Sequence, residues 1–74
     1  MDPQHLVAMA NEIAAFFAGE DPANAAANVA NHLRRYWDPR MRKQIIAHAE
    51  AGGEGLSEVA RAGVMLILSA ARGR

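Results

Sequence analysis

The sequence predicts an all-α fold, a small three-to-four-helix bundle, on two observations. First, three Asp-Pro pairs, Asp2-Pro3, Asp21-Pro22 and Asp38-Pro39, contain every proline of the chain. An Asp at the N-cap accepts hydrogen bonds from the orphan amides of the first turn. Proline suits the first helical position, where its missing N–H costs nothing and its fixed φ matches the helix. Second, each pair precedes a segment whose apolar residues recur at spacings of three and four, the period of one helix face.

The first helix is predicted over residues 3–18. Leu6, Met9, Ala10, Ile13 and Phe17 share one face, with Gln4, Asn11 and Glu12 elsewhere. Gly19 suits the left-handed position that ends a helix. The second helix, over 22–37, is alanine-rich, with Ala26, Val29, Ala30 and Leu33 as its buried stripe. Tyr36 or Trp37 closes its end. Asn24, Asn28 and Asn31 lie on another face and read as a solvated one. The third helix, over 39–51, turns Met41, Ile45, His48 and Ala49 inward. Gly52-Gly53-Glu54-Gly55 then reads as a flexible turn and hinge. It lacks the preceding strand and the Lys-Ser/Thr ending of a phosphate loop, and Glu54 would repel an anion.

The fourth helix is predicted over 57–71, with Ser57 as its cap. Val59, Ala60, Gly63, Val64, Ile67, Leu68 and Ala71 make one broad apolar face, while Met65 and Leu66 lie on the other side. A small domain has no second core for that side, so Val64, Met65, Leu66 and Leu68 are candidates for self-association into a homo-oligomer. Arg72 and Arg74 suit a helix C-terminus, where positive charge offsets the dipole.

The chain of 74 residues is expected to be a single helical domain, 1–74. That is close to the lower limit for a self-sufficient core. There is no cysteine, which removes disulfides and thiolate zinc sites together and fits a reducing cytoplasm. The N-terminus reads as a capped amphipathic helix rather than a secretory segment. The longest apolar run, Val64 to Leu68, is far below the roughly 18 residues a membrane span needs. No membrane contact is therefore expected. Eight basic and eight acidic side chains cancel.

Their distribution is uneven. Five of the eight basic residues, Arg34, Arg35, Arg40, Arg42 and Lys43, fall within ten positions that also hold Tyr36 and Trp37. Arg34 and Arg35 close the second helix, where the dipole alone explains them. Arg40, Arg42 and Lys43 open the third helix, where positive charge opposes the dipole, so a structural explanation is weaker there and stands level with a docking surface for an acidic patch or phosphate backbone. Arg40 and Arg42 are both expected to be exposed. Trp, Tyr and Arg dominate binding hot spots, so the segment is a candidate partner-binding site, with one of the two adjacent aromatics pointing in and the other out. His5, His32 and His48 lack the spacing of a metal site, and Ser57 and Ser69 have no recognisable base. No catalytic, cofactor-binding or metal site is expected.

One stretch carries a resemblance. Leu33-Arg34-Arg35-Tyr36-Trp37-Asp38-Pro39-Arg40-Met41-Arg42 is followed by Ile45-Ile46-Ala47-His48 and then by Gly52-Gly53-Glu54-Gly55-Leu56. Together with the Met9-to-Phe17 opening, this resembles the delta subunit of NAD-dependent, molybdenum-containing formate dehydrogenase, over about Leu6 to Leu56. The resemblance implies a non-catalytic accessory subunit of a soluble cytoplasmic complex, docked on the alpha subunit and supporting assembly or stability. It implies that other subunits carry the cofactors. The alpha subunit would hold the molybdenum cofactor and iron–sulfur clusters, and the beta subunit FMN and the NAD site. The lack of cysteine agrees, because cluster ligation without it is exceptional. The alternative is a small helical nucleic-acid-binding module using the basic 34–43 junction. Such modules usually have a pI above about 9, whereas this chain has a pI near 6.8.

Overall fold

The first and third Asp-Pro pairs start helices by side-chain capping. The Asp2 carboxylate accepts the Gln4 amide at 3.1 Å and the Asp38 carboxylate accepts the Met41 amide at 2.9 Å. In the computed structural model, which describes residues 2–72, these caps open α1 (Pro3–Glu20) and α3 (Pro39–Glu50). Between them lies α2 (Ala25–Tyr36), and α4 (Glu58–Arg72) closes the chain. Ser57 begins α4, its hydroxyl accepting the Ala60 amide at 3.2 Å. The chain is a small all-α bundle of four α-helices, with no strand among the described residues. Arg72 is the last residue of α4, and Arg74 lies outside the described residues.

The middle Asp-Pro pair behaves differently. Pro22–Asn24 forms a 3-10 turn, and the α-helix begins at Ala25 rather than Pro22. Asp21 caps no amide with its side chain; its carboxylate accepts instead from the Asn24 amide group at 3.1 Å. The reversal from α1 to α2 fits in this short turn, so the second helix starts late. Gly19 does not end α1 either. The helix continues to Glu20, and Gly19 is not among the glycines with positive φ.

The core is built from small and branched side chains at helical spacing. Leu6, Ala10, Val29, Leu33, Ile45, Ala60 and Val64 are almost wholly buried, and Met9, Ile13, Phe17, Met41, Ile46 and Val59 pack around them. Val7, Ala14 and Ala25 are buried as well, whereas Ala26 is only half-buried. The closest approach is between α2 and α4 at Gly63. A Cβ there would lie 2.5 Å from Val29 Cγ1, 2.7 Å from Val29 Cβ and 3.2 Å from the Ala26 carbonyl oxygen. Only glycine lets these helices meet at that distance.

The glycine-rich loop is held on every side rather than hinged. The Gly53 amide donates to the His48 carbonyl at 2.9 Å and the Gly52 amide to the Ala49 carbonyl at 3.2 Å. This pairing closes α3 as a Schellman motif, with Gly52 and Gly53 at φ +122° and +66°. The His48 ring Nε2 lies 2.7 Å from the Glu54 carbonyl oxygen. Asn11 on α1 donates to the Gly55 carbonyl at 2.8 Å and accepts the Ser57 amide at 2.8 Å. Arg61 on α4 donates to the Gly53 carbonyl at 3.3 Å. Side chains from three helices thus satisfy the backbone of a segment that composition alone reads as loose.

Candidate docking surface

The α2–α3 corner divides the seven partner-binding candidates into separate roles. Trp37 ends α2 in an extended conformation, its amide donating to the Leu33 carbonyl at 3.0 Å, and its side chain is 4% exposed within the core. It is therefore a core plug and not a surface anchor. Tyr36, one position earlier, is 68% exposed. Tyr36 is the last helical residue and Trp37 is already extended, and that change of backbone at the helix end separates a ring in water from a ring in the core.

Arg42 is also corrected. It is half-buried rather than exposed, and its guanidinium reaches back to the C-terminal carbonyls of α2. It donates to the Arg34 carbonyl at 3.2 Å and to the Trp37 carbonyl. Those oxygens have no helical donor of their own, so a cation beside them satisfies both valence and dipole. The charge that opposes the dipole of α3 thus serves the end of α2. Arg34, Arg35, Arg40 and Lys43 are exposed, and Arg34 also donates to the Asn31 side chain at 3.4 Å. Four cations and Tyr36 are thus exposed along the residues on either side of the α2–α3 turn.

The candidates on α4 divide in the same way. Val64 is wholly buried and faces the core, which removes it from any self-association surface. Met65 and Leu66 are 40% and 43% exposed, and Leu68 is half-buried.

Sequence reading missed a row of rings on the α1–α2 seam. Phe16 and Phe17 meet edge to face at 5.2 Å, Phe17 meets His32 at 6.2 Å, and His32 lies 4.7 Å from Tyr36. Within α2, the i, i+4 spacing of His32 and Tyr36 signals that pair. Nothing local signals that Phe17 completes the row from another helix.

Elsewhere, a depression of about 370 Å³ is lined by Gln4, Val7, His48, Ala51, Glu54 and Gly55. Its histidine already engages the loop carbonyl. Among the described residues no polar or charged side chain is buried, and no group of three His, Cys, Asp or Glu is placed to hold a metal ion. No described helix is long and apolar enough to cross a membrane. The exposed rings are those of Phe16 and Tyr36, and Arg35 lines the same hollow as Tyr36.

Comparison with known proteins gives one match. The family model described as NADH-dependent formate dehydrogenase delta subunit FdsD matches residues 5–64. The matched region takes in α1, α2, α3, the glycine-rich loop and the first half of α4. No curated protein and no solved structure matches the chain.

Proposed function

The chain belongs to the family of NADH-dependent formate dehydrogenase delta subunits, and from that membership we propose a non-catalytic accessory subunit that docks on the alpha subunit. Docking supports assembly or stability of a cytoplasmic enzyme complex. The chain brings no redox centre of its own, and the molybdenum cofactor, iron–sulfur clusters, FMN and NAD site belong to other subunits. The contact is made by Arg34, Arg35 and Tyr36 at the end of α2, with Arg40 and Lys43 on α3.

One observation carries this reading. Arg42 has an intramolecular task, whereas Arg40 stands exposed in the first turn of α3, where its charge opposes the dipole. Lys43 is exposed one turn further on, and Tyr36 is exposed at the end of α2. Cations left in water against their own helix field are well suited to an acidic surface, where complementary charge speeds encounter and fixes register.

The test is double charge reversal, Arg40→Glu with Lys43→Glu. Negative charge suits the start of α3, so the variant should keep its helical spectrum and melting temperature. Its affinity for the alpha subunit should fall by roughly tenfold or more, as expected when attraction across an interface becomes repulsion. A folded variant that remains fully bound at physiological salt would place the contact on another face.

A further inference from the structure

The seam between α1 and α2 is open along its outer edge. Two hollows of about 260 and 270 Å³ lie side by side and share Phe17 and His32 as a common wall. The first is bounded by Ile13 and Phe16 and carries Glu12 at its edge. The second is bounded by Asn28, Asn31 and Tyr36 and carries Arg35. Phe16 is 62% exposed and has no polar atom to satisfy in water. Tyr36 stands at the other end of the ring row, so both ends of a continuous aromatic strip face solvent.

Charge complements this strip. The carboxylate of Glu12 and the guanidinium of Arg35 are both exposed, one at each hollow. A groove that is apolar at the Phe16 hollow, mixed with asparagines at the Tyr36 hollow, and charged oppositely at the two selects both the composition and the direction of what lies in it. We propose that the α1–α2 seam is the docking groove for one amphipathic segment of a partner subunit. The segment places apolar side chains over Phe16, Phe17, His32 and Tyr36. It carries a carboxylate at the Arg35 end and a basic side chain at the Glu12 end. This rests on the accessory-subunit reading and extends its contact from the basic corner onto α1.

A second copy of the chain is the weaker occupant. It would offer Met65 and Leu66 of α4 to the groove of its neighbour, a head-to-tail contact. Each added copy would leave a free groove and a free α4, so the assembly closes only if its rotation happens to form a ring.

The experiment compares wild type, Phe16→Ser with Tyr36→Ser, Arg35→Glu and Glu12→Lys as ligands for the purified alpha subunit, after thermal melts establish that each variant is folded. The ring variant should bind roughly tenfold or more weakly, since exposed aromatic anchors dominate such contacts. Arg35→Glu and Glu12→Lys should each weaken binding, more at low than at high salt. Hydrogen exchange in the complex should slow over residues 12–17 and 28–36. If wild type binds and the folded ring variant binds equally well, the groove inference fails and Tyr36 leaves the contact, while docking of an accessory subunit through the exposed cations stands. If wild type does not bind the alpha subunit, both fall. Light-scattering assemblies of the chain alone that the ring variant disperses, with binding to the alpha subunit unchanged, would make the occupant a second copy and overturn the proposal.

Discussion

At Gly63 a single methyl group decides how close α2 and α4 can come. The added Cβ would sit 2.5 Å from Val29 Cγ1, and Val29 is wholly buried, so a helix or the valine must shift. Alanine normally gains about 1 kcal/mol over glycine in a helix interior. Here overpacking, typically about 1–3 kcal/mol, outweighs that gain. Gly19 is the counter-case. It lies inside α1, and a Cβ there would meet nothing within 4 Å. Gly63→Ala should lower the melting temperature, and Gly19→Ala should raise it by about 4–8 °C per kcal/mol gained, the scale for a domain of this size. Calorimetry of both variants checks the pair. A higher melting temperature for Gly63→Ala would show that the interhelical seam relaxes freely.

Between helices, the loop 52–57 and the α2–α3 corner use one device, side chains reaching across a break to satisfy backbone. Asp38 caps the start of α3, while Arg42 reaches back to the end of α2. Asn11 does the same for the loop, holding the Gly55 carbonyl and the Ser57 amide at once. Each such hydrogen bond contributes about 0.5–1.5 kcal/mol net. Asn11→Ala should therefore cost roughly 1–2 kcal/mol and speed hydrogen exchange at the Ser57 amide. Asn11→Asp keeps the acceptor for Ser57 and loses the donor to Gly55. Its Ser57 amide should stay protected while overall stability still falls. Unchanged exchange at Ser57 in Asn11→Ala would mean that the Schellman closure and His48 suffice to order the loop.

For the molecule as a whole, small size and exposed apolar surface together set its behaviour in solution. The buried set is rich in alanine and valine, so each side chain removes little area from water and total stability is thin. Met65 and Leu66 meanwhile remain partly in water on α4. Full burial of one such side chain is worth about 1.5–3 kcal/mol. The purified chain is therefore expected to self-associate through this helix, and Leu66→Glu or Met65→Glu should disperse the oligomer without unfolding it. Light scattering across a concentration series measures this. A monomer at high concentration would remove α4 as a self-association surface.

Much of this was legible in the residues because it is local. An Asp before a Pro, a Ser three positions before an amide, and apolar residues at helical spacing all act within about one turn. The all-α class and the caps at Asp2, Asp38 and Ser57 could therefore be read before any packing was known. The family resemblance was legible for a related reason, since its motif lies in contiguous residues around Tyr36 to Met41 and Gly52 to Leu56. The candidate surface was only half visible. The run of cations and aromatics stands out in the chain, yet nothing local says that Trp37 turns inward, that Arg42 serves the preceding helix, or that Val64 faces the core. Those outcomes depend on which helix lies opposite. Asn11 meets its loop partners across 44 and 46 positions, Gly63 is required by Val29, and Phe17 meets His32 from another helix. Such contacts form only when the helices dock, because docking, unlike capping, is set by the shapes of two distant faces at once.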